Sequence, residues 1–219
     1  MCGRYVSKVD ASLEREWELI RAPGPFESFN VAPTTQVPIV RQGEAGRECE
    51  MVRWGLIPHW AKGKPGKYST INARCETMQT AASYRGPWKR GQRCLFPVSG
   101  FYEWQVTESG KQPWYIHLAK QETFALAGLW ERSADVESAT IVTMPANELM
   151  AQIHNTKKRM PLVLDPEAFS AWLGDDRVAA QSLLQSYPSG RMEAWPVSTY
   201  VNKPANNDKR CIEPVQIQA

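Results

Sequence analysis

Residues 93–118 read RCLFPVSGFYEWQVTESGKQPWYIHL, three runs rich in β-branched and aromatic residues separated by two short turn signals. Ser99-Gly100 reads as a tight connection or bulge, and Glu108-Ser109-Gly110, within 107–112, as a hairpin turn. Strands at 93–98, 101–106 and 113–118 joined this closely run antiparallel to their neighbours, because a parallel partner needs a crossover of about a dozen residues or more. Similar runs occur on either side, at 36–41 (QVPIVR), 49–57 (CEMVRWGLI), 123–130 (TFALAGLW), 139–144 (ATIVTM) and 192–198 (MEAWPVS). Helical signals are brief. Residues 10–21 follow an Asp10 cap, place Leu13, Trp17 and Ile20 on one face and stop at Pro23-Gly24. A second helix opens at Asp165-Pro166 and ends at Gly174, burying Phe169, Trp172 and Leu173, and two more cover 146–153 and 176–186. The expected class is α+β: a curved, mainly antiparallel sheet or distorted β-barrel with short peripheral helices, not an alternating doubly wound fold.

The chain has 219 residues, 42% of them hydrophobic, with no linker, low-complexity tract or internal repeat, so residues 1–219 are expected to form a single domain. Nowhere do about 18 apolar residues run together, and the N-terminus lacks a charged segment followed by an apolar one. A cytoplasmic protein without a membrane partner is expected. Cys2, Cys49, Cys75, Cys94 and Cys211 are odd in number and widely spaced, which fits a reducing compartment. With no C-x-x-C pair, and with His59, His117 and His154 scattered, neither a zinc site nor any other metal or cofactor is expected.

The net charge of +3 is unevenly distributed. Between Lys62 and Arg93 stand eight basic residues and one acid, Glu76. Trp54, Trp60, Tyr68, Tyr84 and Trp88 flank or interleave them, the combination expected where unstacked bases meet a charged groove. A solvated surface with core aromatics beneath it has the same composition.

Chemistry enters at residue 2. Removing Met1 would give Cys2 a free α-amine beside its thiol, two nucleophiles that can close a five-membered ring on one aldehyde carbon. The amine, with an ordinary pKa of about 7.7–8.0 against about 10.4 for lysine, is far more often unprotonated near neutrality. A buried packing cysteine behind a retained Met1 is the alternative. Ring closure needs an acid to expel water, a base and oriented donors, and three positions offer these. Glu103 lies in SGFYEWQ, on the strand face opposite Tyr102 and Trp104, where desolvation would raise its pKa. His154 follows the 146–153 helix and can exchange a proton near neutrality. Asn72, in STINARCET, carries an amide able to fix a thiolate or sugar oxygen. Each also suits a structural role.

Taken together, MCGRY at the start, FNVAPTTQVPIV at 29–40, RWGLIPHW at 53–60, INARCET at 71–77, RCLFPVSGFYEW at 93–104, IVTMPAN at 141–147, IH at 153–154, RMPLVL at 159–164 and PVSTYVN at 196–202 resemble the SOS-response-associated peptidase (SRAP) family of abasic-site processing proteins. The resemblance implies that Met1 is removed and that Cys2 forms a thiazolidine with the ring-opened abasic site in single-stranded DNA, with a latent lyase activity. It places Asn72, Glu103 and His154 at the remaining catalytic positions: Asn72 orients Cys2 and the sugar, Glu103 does acid/base work, and His154 transfers a proton at the sugar. By motif position Arg4, Arg74, Arg85 and Arg159 would contact phosphates, while Asn30, Pro33, Trp60 and Thr143 would shape the strand path. Thr156 to Lys158 lengthen the usual step between the histidine and the RMP segment.

Two other functions start from the same residues. An N-terminal-nucleophile amidohydrolase of the glutamine amidotransferase type also begins Met-Cys-Gly, but nothing beyond that tripeptide matches and the basic window has no role in it. A non-catalytic single-strand-binding module accounts for the basic and aromatic residues and leaves Cys2 incidental.

Overall fold

The computed structural model describes residues 2–216. In chain order the strands are β1 (Arg4–Val9), β2 (Leu19–Arg21), β3 (Phe26–Val31), β4 (Gln36–Gln42), β5 (Arg47–Trp54), β6 (Asn72–Arg74), β7 (Arg93–Val98), β8 (Gly100–Thr107), β9 (Gly110–Leu118), β10 (Phe124–Ser133), β11 (Val136–Pro145), β12 (Arg159–Pro161), β13 (Val163–Leu164) and β14 (Met192–Pro196). The helices are α1 (Ala11–Glu16), α2 (Arg85–Lys89), α3 (Glu148–Ile153), α4 (Phe169–Leu173) and α5 (Arg177–Ser182), none longer than six residues. The class is α+β, as the strand spacing indicates.

Five strands form one antiparallel sheet in the order β14-β9-β8-β1-β3. A second sheet runs β12-β11-β10-β7-β4-β5-β2, and β11 also pairs with β5 through Ser138–Arg53 and Ala139–Trp54. That extra pairing closes β5, β4, β7, β10 and β11 into a barrel, which removes the unpaired edges an open sheet would present. The joint between the sheets lies at Ser99-Gly100: the Ser99 amide donates to Val6 O at 2.8 Å, and Ser7 Oγ donates to Pro97 O at 2.7 Å. One apolar cluster, including Cys2, Tyr5, Trp54, Phe96, Phe101 and Ile141, fills the barrel and the space between the sheets. A smaller one, including Val6, Tyr102, Tyr115 and Val201, covers the other face of the first sheet.

Several boundaries differ from the sequence expectations for identifiable reasons. The 10–21 helix keeps its Asp10 cap, whose carboxylate accepts from Ser12 and Leu13, but ends at Glu16. Glu18 then takes a left-handed φ of 54°, and residues 19–21 add to the barrel edge as β2 beside β5, leaving Ile20 54% exposed and off the buried face. The 49–57 strand stops at Trp54 because Gly55, at φ 122°, turns the chain. The 192–198 strand stops at Pro196 and the 176–186 helix at Ser182. The 146–153 helix begins two residues later, where Asn147 accepts from the Met150 amide. Asp165-Pro166 opens a 3-10 turn that passes into α4 before Gly174. Pairing is antiparallel except at β2–β5, β5–β11 and β6–β11.

Barrel packing leaves no room at Gly128 in β10, where an added Cβ would lie 2.4 Å from the Phe96 ring, 2.8 Å from Thr140 O and 2.9 Å from Cys94 Sγ. Two of these neighbours are a core ring and a strand carbonyl, which cannot swing aside. Gly128→Ala is expected to destabilise the protein by about 1–3 kcal/mol through overpacking, measured as a lowered urea midpoint with an unchanged slope.

Candidate active site

The short strand β6 connects the pieces of the site. It pairs parallel with β11 in the register Asn72–Ile141, Ala73–Val142 and Arg74–Thr143. Asn72 is therefore not a loop residue; it opens a strand whose edge faces the start of the chain. Its Nδ2 donates to Cys2 O at 2.9 Å, and its own carbonyl accepts from Tyr84 Oη at 3.1 Å. Asn72 Oδ1 is buried without a hydrogen-bond partner among the described residues. Met1 lies outside the described residues. Cys2 is fully buried at the mouth of the main core, and its thiol points toward Arg4 O at 3.8 Å. Burial, reinforced by the nearby Glu103 charge, pushes that thiol far above the ordinary range.

Glu103 and His154 meet from different elements. Glu103 is on β8, and α3 lies against that strand, where Gln105 Nε2 donates to Gln152 O at 3.2 Å. His154 caps the C-terminus of α3 and brings Nδ1 to 3.8 Å from Glu103 Oε2, with both side chains about 5% exposed. The same nitrogen lies 2.9 Å from Arg159 O and 3.3 Å from the Arg159 amide, so one residue offers it an acceptor when it carries a proton and a donor when it does not. A cleft of about 500 Å3 opens beside this pair, walled by Trp104, Val106, Lys111, Thr156, Lys157 and Asn202.

Arg159 faces a second opening. Nη2 donates to Thr143 O at 2.7 Å, and the two terminal nitrogens grip Glu76, Nη1 to Oε1 and Nη2 to Oε2 at 2.9 Å. These bonds hold the Glu76 carboxyl at a pKa of about 2. With Arg74, Thr77 and Lys157 they line a cleft of about 490 Å3.

The other sequence candidates fall into two groups. Exposed Arg74, Arg85 at the start of α2, and Trp60 (58% exposed) are on the surface, and Pro33 is half-buried in the turn between β3 and β4. Arg4, Asn30 and Thr143 are embedded. Arg4 donates to Asn30 Oδ1 at 2.8 Å and Val201 O at 3.0 Å, while Asn30 Nδ2 reaches Val201 O, Lys203 O and Asn206 O at 2.8–3.1 Å. Thr143 is buried under Arg159. Within the basic window, Arg93 is a core residue, not a surface cation: it donates to Trp172 O and Gly174 O at the end of α4, where carbonyls lack helical partners. Trp54 and Trp88 are core as well, whereas Tyr68 is exposed. Three residues bearing on the site were not singled out from the sequence. Tyr84 was legible only as an aromatic beside basic residues, Lys157 only as part of the 156–158 step before the RMP segment, and Glu76 was the one acid in its window.

Fold and site together define a class of protein: a barrel-containing α+β chain whose second residue is a buried cysteine near a carboxylate–imidazole pair, with cationic clefts alongside. The family profile described as SOS response associated peptidase (SRAP) matches residues 1–204, and the chain belongs to that family. It is 38% identical over 226 residues to the abasic site processing protein YoqW of Bacillus subtilis, covering 97% of this chain and 99% of that one. It is 33% identical to the abasic site processing protein HMCES of Gallus gallus, covering 99% and 79% respectively. A crystal structure of a protein from Bordetella bronchiseptica superimposes with a TM-score of 0.80 at 26% identity, covering 90% of this chain and 100% of that one.

The Glu76–Arg159 pair has a signed pH dependence. Its folded pKa of about 2 lies below the ordinary 4.5, so its contribution is complete above pH 4.5 and disappears as pH falls toward 2. Because Glu76 is 46% exposed, solvent screening limits that contribution to about 1 kcal/mol or less. Glu76→Gln is expected to cost that amount in urea unfolding at pH 7 and nothing at the acid end of the window.

Proposed function

We propose that this protein senses and protects abasic sites in single-stranded DNA by forming a covalent thiazolidine between Cys2 and the ring-opened sugar. The observation carrying this reading is the position of Cys2: second in the chain, held through its carbonyl by Asn72, within electrostatic reach of Glu103 and close to the Glu103–His154 pair. Relatives named for abasic site processing, aligned over nearly the whole chain, support it.

Once Met1 is removed, by the protein itself or by a cellular aminopeptidase, the α-amine of Cys2 attacks C1′ of the open-chain sugar. The resulting carbinolamine loses its hydroxyl as water, with His154 and Glu103 supplying and accepting protons, and an imine forms. A thiol kept protonated by burial leaves this first attack to the amine. The sulfur then adds to the imine carbon as its proton is passed through Glu103 to the ring nitrogen, so one C–N and one C–S bond replace the carbonyl and one water leaves. An imine left standing would permit β-elimination at the 3′-phosphate and cut the strand; thiol addition removes it. Asn72 orients Cys2 and the sugar. Arg4, Arg74, Arg85 and Arg159 serve the phosphates, while Asn30, Pro33, Trp60 and Thr143 shape the path of the strand. The chain acts as one domain on cytoplasmic, nucleoid-associated DNA, without a cofactor or obligate protein partner; no helix among the described residues is long and apolar enough to cross a membrane.

Intact mass spectrometry after incubation with a single-stranded oligonucleotide bearing one abasic site tests the proposal. The expected stable species is the chain lacking Met1 plus the DNA minus one water, absent for Cys2→Ala, whose amine reaches only the reversible imine, and formed about 100-fold or more slowly by Glu103→Gln. Cys2→Ser, which keeps the amine, should nick the strand. A stable, non-nicking Cys2→Ser adduct would contradict the imine-first order, and a wild-type chain that retains Met1 would remove the mechanism.

A further inference from the structure

Glu76 is the one acid among the basic residues of the 62–93 window, and its partner comes from outside that window. Arg159 holds it with both terminal nitrogens, the fork geometry by which arginine also grips two phosphate oxygens. The two partners are unequally fixed. The Arg159 side chain is 11% exposed and is anchored again at Thr143 O, while Glu76 is 46% exposed and takes besides a weak bond from the Cys75 thiol, Sγ to Oε2 at 3.4 Å, so the carboxylate is the less firmly held member and the one that swings away. Around it stand Arg74 and Lys157, making three cations and one acid in a cleft of about 490 Å3. Through its backbone Arg159 also clasps the His154 ring. The residue that offers this guanidinium therefore also positions the imidazole of the Glu103–His154 pair.

We propose that Glu76 is a specificity-determining residue: its carboxylate occupies the phosphate seat on Arg159 and yields it to a phosphate carried by a strand but not to the phosphate of a small molecule. This rests on the assignment of Arg159 to strand binding made above. A lone sugar phosphate must displace a carboxylate whose tether gives it an effective concentration of about millimolar or more. A phosphate within a strand is held by its neighbours at Arg74 and Lys157, so it competes intramolecularly and on equal terms. Glu76 thereby keeps small phosphorylated aldehydes away from Cys2. The exchange also changes the salt dependence, since the released Glu76 carboxylate beside the strand offsets one of the phosphate neutralisations the site makes.

The test compares thiazolidine formation by wild type, Glu76→Gln and Glu76→Ala, using intact mass spectrometry with 2-deoxyribose 5-phosphate, unphosphorylated 2-deoxyribose and an abasic oligonucleotide. Both variants are expected to lose about tenfold or more of the preference for the strand over the sugar phosphate, with no comparable gain on the unphosphorylated sugar. An unchanged preference overturns the proposal, as does an equal gain on both sugars, which would mean only that the site had opened. Two further measurements do not depend on Cys2 chemistry. In a Cys2→Ala background, Glu76→Gln should steepen the salt dependence of oligonucleotide binding by about 0.7 in log–log slope, and calorimetry should detect inorganic pyrophosphate binding in Glu76→Gln beyond that of wild type. Failure of both with crosslinking intact refutes the seat alone; success of both without crosslinking refutes the crosslinking function and leaves the seat standing.

Discussion

The parallel pairing of β6 with β11 is only three residues long, yet it fixes the relative positions of most of the site. Through the register Asn72–Ile141 it presents the Asn72 amide to Cys2 O, and through Arg74–Thr143 it sets Arg74 and Glu76 beside the strand whose carbonyl anchors Arg159. β11 in turn closes the barrel by pairing with β5. The strand that seals the hydrophobic core therefore also aligns the polar groups. A one-residue slip between β6 and β11 would turn Asn72 to the opposite face and release Cys2 O.

Around that frame several polar groups are held by buried partners. The thiol is buried and held protonated; Arg4 and Asn30 are absorbed by the 201–206 segment; Arg93 is absorbed by the end of α4. The exposed cations Arg74, Arg85 and Lys157 remain on the surface. The embedded residues are fixed by these partners, and the exposed ones extend into solvent.

What the sequence revealed follows this division. Strands built on apolar runs, such as 93–98 and 139–144, were legible because their burial dictates their composition. β3 (FESFNV) and β6 (NAR) were not, since they pair at edges and carry polar residues whose partners are remote in sequence. The 10–21 helix was overextended because Trp17 and Ile20 fit a helical period, while the parallel edge of β5 that captures residues 19–21 leaves no local trace. Among the site residues, Cys2 stood out by position. Asn72, Glu103 and His154 were individually ambiguous and gained weight from the family resemblance; their juxtaposition depends on contacts between β6 and β11 and between α3 and β8 that no single-chain periodicity encodes.

The segment between His154 and the RMP motif turns away from the site. Thr156, Lys157 and Lys158 are all exposed, Lys158 takes a left-handed φ of 47°, and its amide returns to His154 O at 2.9 Å. These residues thus form an outward turn closed by that hydrogen bond, and the His154 ring meets both backbone groups of Arg159. Because this clasp is made by backbone atoms, it depends on where β12 begins and not on how many residues precede it. β12 begins at Arg159 because Pro145 of β11 lies opposite, so the position of the imidazole is set by the sheet and the loop is free to vary. The turn also contributes to the surface, since Lys157 lines both the cleft beside Glu103 and the one beside Glu76.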